Sequence, residues 1–299
     1  MDNEKFLTIL KRLYILREGK SIKSDFGKTL LIGGSKIYPH AVTIASQFAD
    51  LSGVSFVSLA VPDEIYPVVG TRCSLTNIFE DLKNKDGYFL LDENKETLDH
   101  IFHTYSSILI GNGMKNCVEN YRFLSYVIEH YSHNLIIDAT GIRLLADYGV
   151  DVFEKKENNA KILLTPHLGE ARRLLQSDIF SRDPIDYTPL AVSFCKRYGI
   201  NILLKSISSI LVSQKGKTFS SSYSPTPALA KAGSGDGLSG YLSGILAYGE
   251  KDISYDDLIL FGDQLIHQAA ARAEKKYSSG YSNILSCKEE IKEMIQEII

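Results

Sequence analysis

A series of short apolar runs punctuates the first 205 residues. These are "TLLIGG" (29–34), "VSFVSLA" (54–60), "SSILIG" (106–111), "NLIIDA" (134–139), "KILLT" (161–165) and "INILLK" (200–205). Their length, β-branched content and flanking Gly, Pro, Asp or Thr predict buried strands. Between them lie helical patterns near 38–52, 115–131, 141–148, 169–176 and 189–198. Strands that are apolar on both faces and alternate with helices predict a mostly parallel sheet covered on both sides. Ligands of such sheets bind beyond the carboxyl ends of the strands.

The pattern then changes. "ILVSQKGKTFSSSY" (210–223) predicts an antiparallel hairpin at the sheet edge, turning at "QKGK". Pro225, Pro227, a glycine-rich stretch and helices to the end follow, and Leu258, Phe261, Leu265 and Ala269 mark one apolar helical stripe. The opening segment "MDNEKFLTILKRLYILREGK" predicts an amphipathic helix rather than a signal peptide. With no repeats and no linker ("SSGYS" at 278–282 is only a loop), the 299 residues are expected to form one domain.

Composition narrows the function. A net charge of −3 argues against nucleic acid as a partner. No apolar run is long enough to cross a membrane. Cys73, Cys117, Cys195 and Cys287 form no CxxC pair, which favours a reducing cytoplasm and no zinc site. "GKT" occurs at Gly27–Thr29 and Gly216–Thr218, but the glycine a P-loop needs is replaced by Ile22 and Leu211. "DFG" at 25–27 lacks the other kinase elements, and "GNG" at 111–113 lacks the third glycine of a dinucleotide fingerprint. The histidines show no metal spacing, and His267 reads as structural.

"LAKAGSGDGLSGYLSGI" (229–245) sets one acid, Asp236, among small residues. Ala232 to Asp236 reads as a loop entering a helix that continues to about Tyr248. The first amides of a helix lack internal partners and favour anions. A carboxylate beside a bound phosphate would repel it, unless it takes a proton from a hydroxyl attacking that phosphate. Gly237, Gly240 and Gly244 make a smooth face, expected to press against the sheet.

These residues resemble a known family. "AGSGDGLSGYLSGILAYG" is similar to the GSGD/GTGD signature of the ribokinase-like superfamily. Within it, the chain resembles the ADP- or ATP-dependent NAD(P)H-hydrate dehydratases, the YjeF C-terminal family. "LIGGSKIYPHAVTIAS" (31–46) is similar to its GGS…YPGA segment, and "LLTPHLGEARRLL" (163–175) to its TPHPGE…RLL. "ILIGNGMK" (108–115) stands where the family has GPG, "IIDATGIRLL" (136–145) parallels its DADAL strand end, and "ILLKSISSILVS" (202–213) its Lys-Gly strand end.

The resemblance implies a ribokinase-like three-layer α/β/α fold. It also implies dehydration of the S-form of hydrated NADH or NADPH, by phosphorylation of the added hydroxyl and loss of phosphate. Asp236 would be the catalytic base and contact substrate, with Ala41, Gly113 and His167 lining the hydrate site. Lys205, Ser206, Ile207, Ser208, Ser209, Gly233, Ser234 and Gly235 would hold the nucleotide, and Glu170 would help hold Mg²⁺ through water. ADP and ATP both remain open. A homo-oligomer, a tetramer by family analogy, and a separate epimerase protein in the same pathway are implied, with no epimerase domain in this chain. From the residues alone, His167 could simply cap a turn, Lys205 could be solvated, and Glu170 could be a favourable first-turn acid. The alternatives are a small-molecule kinase of the hydroxymethylpyrimidine or hydroxyethylthiazole type, and a non-catalytic nucleotide sensor.

Overall fold

In the computed structural model, which describes residues 1–14, 21–74, 76–157, 159–220, 226–249 and 253–298, the apolar runs are the strands of one sheet. The strands are β1 (Lys28–Ile32), β2 (Phe56–Ala60), β3 (Ile78–Phe79), β4 (Asn84–Lys85), β5 (Tyr88–Phe89) and β6 (Ser107–Ile110). Then come β7 (Asn134–Ile137), β8 (Lys161–Leu164), β9 (Asn201–Leu204), β10 (Ile210–Val212) and β11 (Thr218–Ser220). Nine of them form a sheet in the order β11-β10-β9-β8-β7-β6-β1-β2-β3, while β4 and β5 pair separately. All neighbours are parallel except β10, which runs antiparallel to both β9 and β11. The expected edge hairpin is therefore present; its last residues, 221–223, and Pro225 lie outside the described residues.

Strand periodicity builds two cores. Leu31, Leu109, Ile136, Leu163 and Leu203 point to one face, and Leu30, Ile108, Ile110, Ile162 and Ile202 to the other. The first face is covered by α1 (Asn3–Tyr14), α2 (Pro39–Leu51) and α3 (Tyr66–Gly70). The second is covered by α4 (Leu91–Thr104), α5 (Val118–His130), α6 (Thr140–Tyr148), α7 (Leu168–Leu174) and α8 (Thr188–Tyr198). The last three helices, α9 (Ser234–Leu246), α10 (Tyr255–Tyr277) and α11 (Ile284–Gln296), return to the first face. In α1, Phe6, Ile9, Leu10 and Leu13 are the buried stripe of the expected amphipathic helix, which is described only to Tyr14. Among the described residues no helix is long and apolar enough to cross a membrane.

The short elements α3, β3, β4 and β5 lie outside the runs and helical patterns marked from sequence, and two further details differ from expectation. Helix α4 is absent from the sequence reading because the first position of its buried stripe is polar: Asn94 precedes Leu98, Ile101 and Phe102. Asn94 is nonetheless fully buried, accepting from Lys83 N at 2.8 Å and donating to Lys83 O at 2.7 Å. The glycine face of α9 meets α2 rather than the sheet. A Cβ on Gly240 would strike the Ala45 carbonyl oxygen, and one on Gly244 the Ser52 Oγ. The sheet side of α9 carries serine instead, with Thr29 Oγ1 of β1 donating to Ser243 Oγ at 3.2 Å.

A backbone oxygen cannot retreat as a flexible side chain can. Gly240→Ala is therefore expected to cost about 1–3 kcal/mol by overpacking. The urea midpoint should fall while the slope stays the same, and an unchanged midpoint would refute this contact.

The chain steps outward from β1 to β2 and β3, then returns to the other side of β1 with β6. This reversal opens a crevice at the carboxyl ends of β1 and β6, the position where ligands of open α/β sheets bind.

Candidate active site

Four strand ends and one helix start converge at this crevice. After β6, Gly111 (φ 121°) and Gly113 (φ 69°) take backbone conformations that residues with a Cβ rarely adopt. They turn the side chain of Asn112, between them, toward α9. Its Nδ2 donates to Asp236 Oδ1 at 2.6 Å and to Ser239 Oγ at 3.1 Å, and lies 3.4 Å from Asp138 Oδ2. Asp138 follows β7. The next residue, Ala139, holds a strained φ of 49°. After β9, Lys205 Nζ donates to Asp138 Oδ1 at 2.7 Å, in a pair whose side chains are only 16% and 1% exposed. Lys205 N also donates to Pro166 O at 2.9 Å, which ties the end of β9 to that of β8.

Helix α9 opens onto this cluster. Gly233 is its N-cap, at φ 92°, with no side-chain cap. Ser234 N turns back to Lys231 O at 3.3 Å, so it is not among the open amides the sequence suggested. The Gly235 and Asp236 amides meet no acceptor among the described residues. Gly235 sits against the cation: a Cβ there would lie 2.9 Å from Lys205 Nζ. Open helix-start amides, a dipole and a buried lysine together make an anion site.

A cavity of about 700 Å³ leads away from this mouth, a size that suits a nucleotide-sized ligand. His167, Lys205, Ser206, Ser234 and Gly235 line its near end, and Ile207, Leu229, Leu238 and Ile266 wall it. Thr226, Asp263 and His267 also line it. Ser209 Oγ donates to Asp263 Oδ1 at 3.0 Å, and the His267 Nδ1 is bonded to Thr226 Oγ1 at 3.1 Å. His267 thus lines a cavity as well as serving the structure. Ser208 is exposed and does not line the cavity.

On the opposite side of α9, Gly113 packs against α2. A Cβ on it would lie 2.9 Å from the Ala41 Cβ and 2.6 Å from Tyr38 O. Ala41 and Gly113 are therefore neighbours, and Gly113 adjoins Asn112, which holds Asp236. A second recess, of about 650 Å³, lies beside α7 and is lined by Arg172 and Arg173; none of the crevice groups reaches it.

Electrostatics distinguish the carboxylates. Burial pushes Asp236 up to about 6; the Asn112 hydrogen bond opposes this, Asp138 adds to it and Lys205 subtracts. Burial likewise pushes Glu170 up to about 7, against the pull of Lys205. Burial alone would depress Lys205, yet Asp138, Glu170 and Asp236 hold it above the usual lysine value, so it stays charged. A carboxylate near 6 is mostly ionised at pH 7 and still accepts a proton readily, as a general base requires.

His167 and Glu170 cap α7 reciprocally. His167 Nδ1 accepts from Gly169 N at 3.0 Å and Glu170 N at 3.3 Å, and Glu170 Oε2 accepts from His167 N at 2.9 Å. An accepting Nδ1 requires the neutral ring. Partial burial and then Lys205 lower its pKa in the same direction. Capping is the role the structure gives this pair; His167 also lines the cavity mouth. Among the described residues no group of three His, Cys, Asp or Glu could hold a metal alone.

Sequence reasoning assigned no role to Asp138 or Asn112 and named Asp263 nowhere. The signals for Asp138 were its position, an acid directly after an apolar strand, and the likeness of "IIDATGIRLL" to the family's DADAL strand end.

A family model described as NAD(P)H-hydrate dehydratase matches residues 29–293. The bifunctional NAD(P)H-hydrate repair enzyme Nnr of Salinibacter ruber is 28% identical over 78% of this chain and 42% of its own length. The ADP-dependent (S)-NAD(P)H-hydrate dehydratase of Listeria monocytogenes is 27% identical over 80% of this chain and 78% of its own. The chain spans about half the length of the bifunctional relatives. An ADP/ATP-dependent NAD(P)H-hydrate dehydratase from Bacillus subtilis, co-crystallised with ATP and Mg²⁺, shares the fold. Its TM-score is 0.74 over 97% of this chain and 96% of that one, at 19% identity. With the match running unbroken from β1 into α11, this chain belongs to the NAD(P)H-hydrate dehydratase family.

Proposed function

We propose that this chain uses ADP or ATP to dehydrate the S-form of hydrated NADH or NADPH back to the reduced cofactor. The observation that carries this reading is Asp236, held at the mouth of α9 beside uncapped amides and Lys205.

The nucleotide lies in the cavity with its terminal phosphate on the Gly235 and Asp236 amides and on Lys205. The hydrate lies on the other side of α9, toward Ala41 and Gly113. The hydrate hydroxyl attacks the terminal phosphorus, and Asp236 takes its proton. The bond to the departing AMP or ADP breaks, and the amides and Lys205 stabilise the charge on the moving phosphoryl group. The ring nitrogen's lone pair then expels inorganic phosphate, and the neighbouring ring carbon gives a proton to the departing phosphate, which restores the double bond.

Magnesium bound with the nucleotide would screen phosphate charge. Mg²⁺ commonly takes one or two protein carboxylates beside phosphate oxygens and water. On this reading Glu170, which caps α7 with His167, would hold it through water. A homo-oligomer and a separate epimerase belong to the same reading and rest on the resemblance alone, and a cytoplasmic setting rests on the cysteine pattern.

The test is recovery of the reduced-nicotinamide absorbance when hydrated NADH or NADPH is incubated with each nucleotide and Mg²⁺. Recovery matched by phosphate release supports the reading. A stable phosphorylated product would replace it with a small-molecule kinase.

A further inference from the structure

We propose that Asn112 is a positioning residue for the reaction, its amide holding one oxygen of Asp236 so that the other faces the substrate hydroxyl. The inference rests on Asp236 being the base.

Asn112 is 2% exposed, and its backbone is pinned to the end of β1, with Gly34 N donating to its carbonyl at 2.7 Å. Its Nδ2 faces only acceptors: Asp236 Oδ1, Asp138 Oδ2 and Ser239 Oγ, the last already donating to Gly235 O at 3.0 Å. The reverse amide orientation would set a carbonyl oxygen against two carboxylates. The other end of the amide, Oδ1, is buried and meets no partner among the described residues. A buried acceptor without a donor is unfavourable. A side chain chosen for packing alone would avoid it, so the residue's contribution lies at its NH₂ end.

Four groups bear on Asp236: Asn112 after β6, Asp138 after β7, Lys205 after β9 and Glu170 on α7. Without Asn112 the carboxylate would be free to rotate toward the Lys205 ammonium and enter the anion slot it should serve. A neutral donor fixes the carboxylate without saturating it, as a cation would. Asn112 also favours the ionised form and so works against the upward push from burial and Asp138.

The experiment is the pH dependence of kcat/KM for hydrate repair in wild type and Asn112→Ala, with a ¹³C-carboxyl titration of Asp236 in the free proteins. The wild-type acid limb is expected near pH 6. In Asn112→Ala both the limb and the titration should move up by about one unit, with kcat about tenfold lower and nucleotide KM within about twofold. Asn112→Asp, which adds a like charge, should move them further. Asn112→Ser, smaller but polar, decides the question if the alanine variant melts well below wild type. Lower activity with both the limb and the titration unmoved would overturn the proposal. If no hydrate is repaired by the wild type, the proposed function fails, and the titration still reports whether Asn112 governs the carboxylate.

Discussion

Replacing Asp236 by asparagine is expected to lower hydrate-repair turnover by about 10²-fold or more, the scale of a lost general base. Nucleotide affinity should stay within about twofold or improve, because one negative charge beside the phosphate disappears. The substitution preserves shape, and the new side-chain oxygen can still accept from Asn112 Nδ2, now 2.6 Å from Asp236 Oδ1. The fold should therefore be undisturbed, and the loss should fall on kcat. Turnover and binding measured on the same preparations check both halves. Equal turnover in wild type and variant would remove Asp236 from the chemistry. Nucleotide binding with no turnover in the wild type would point to the sensor alternative.

Lys205→Met should have a comparably large effect, on stability as well as on binding. It leaves the Asp138 carboxylate, 1% exposed, without its cation. Breaking a buried pair from one side typically costs about 3–5 kcal/mol, since the remaining charge stays desolvated. The same substitution removes the cation at the anion site, so nucleotide affinity should fall sharply. The double variant Lys205→Met/Asp138→Asn separates the two effects. It removes the stranded charge and should recover most of the stability in denaturant unfolding, while nucleotide binding stays lost. If the double variant bound nucleotide as wild type does, Lys205 would be a structural partner of Asp138 and nothing more.

The long strands were legible because each is apolar on both faces, and β1, β2, β6, β7, β8 and β9 fall inside the runs marked from sequence, apart from Lys28, whereas the two-residue strands β3, β4 and β5 are too short to leave such a run. The mouth of α9 was legible for a different reason: glycine and serine around one acid have few purely structural uses. The partner of the glycine face was not, since spacing defines a stripe but not what packs on it. Helix α4 was hidden by Asn94, a polar residue at a core position whose bonding partners only the fold supplies. The Asp138–Lys205 pair spans 67 residues and forms because β7, β8 and β9 are adjacent in the sheet. Asn112 was visible in sequence as a departure from the family's GPG. Its contact with Asp236, 124 residues on, depends on how α9 crosses the end of β6. Asp263 and His267 sit in an ordinary amphipathic stretch, and nothing local marks them as lining a cavity.

The most direct measurement is a crystal structure of the Asp236→Asn protein with ADP or ATP. The terminal phosphate is expected within about 3 Å of the amides of Gly235 and residue 236 and of Lys205 Nζ, with the base in the cavity between Ile207 and Ile266. A nucleotide seated elsewhere, such as the recess beside Arg172 and Arg173, with the mouth of α9 left empty, would contradict it.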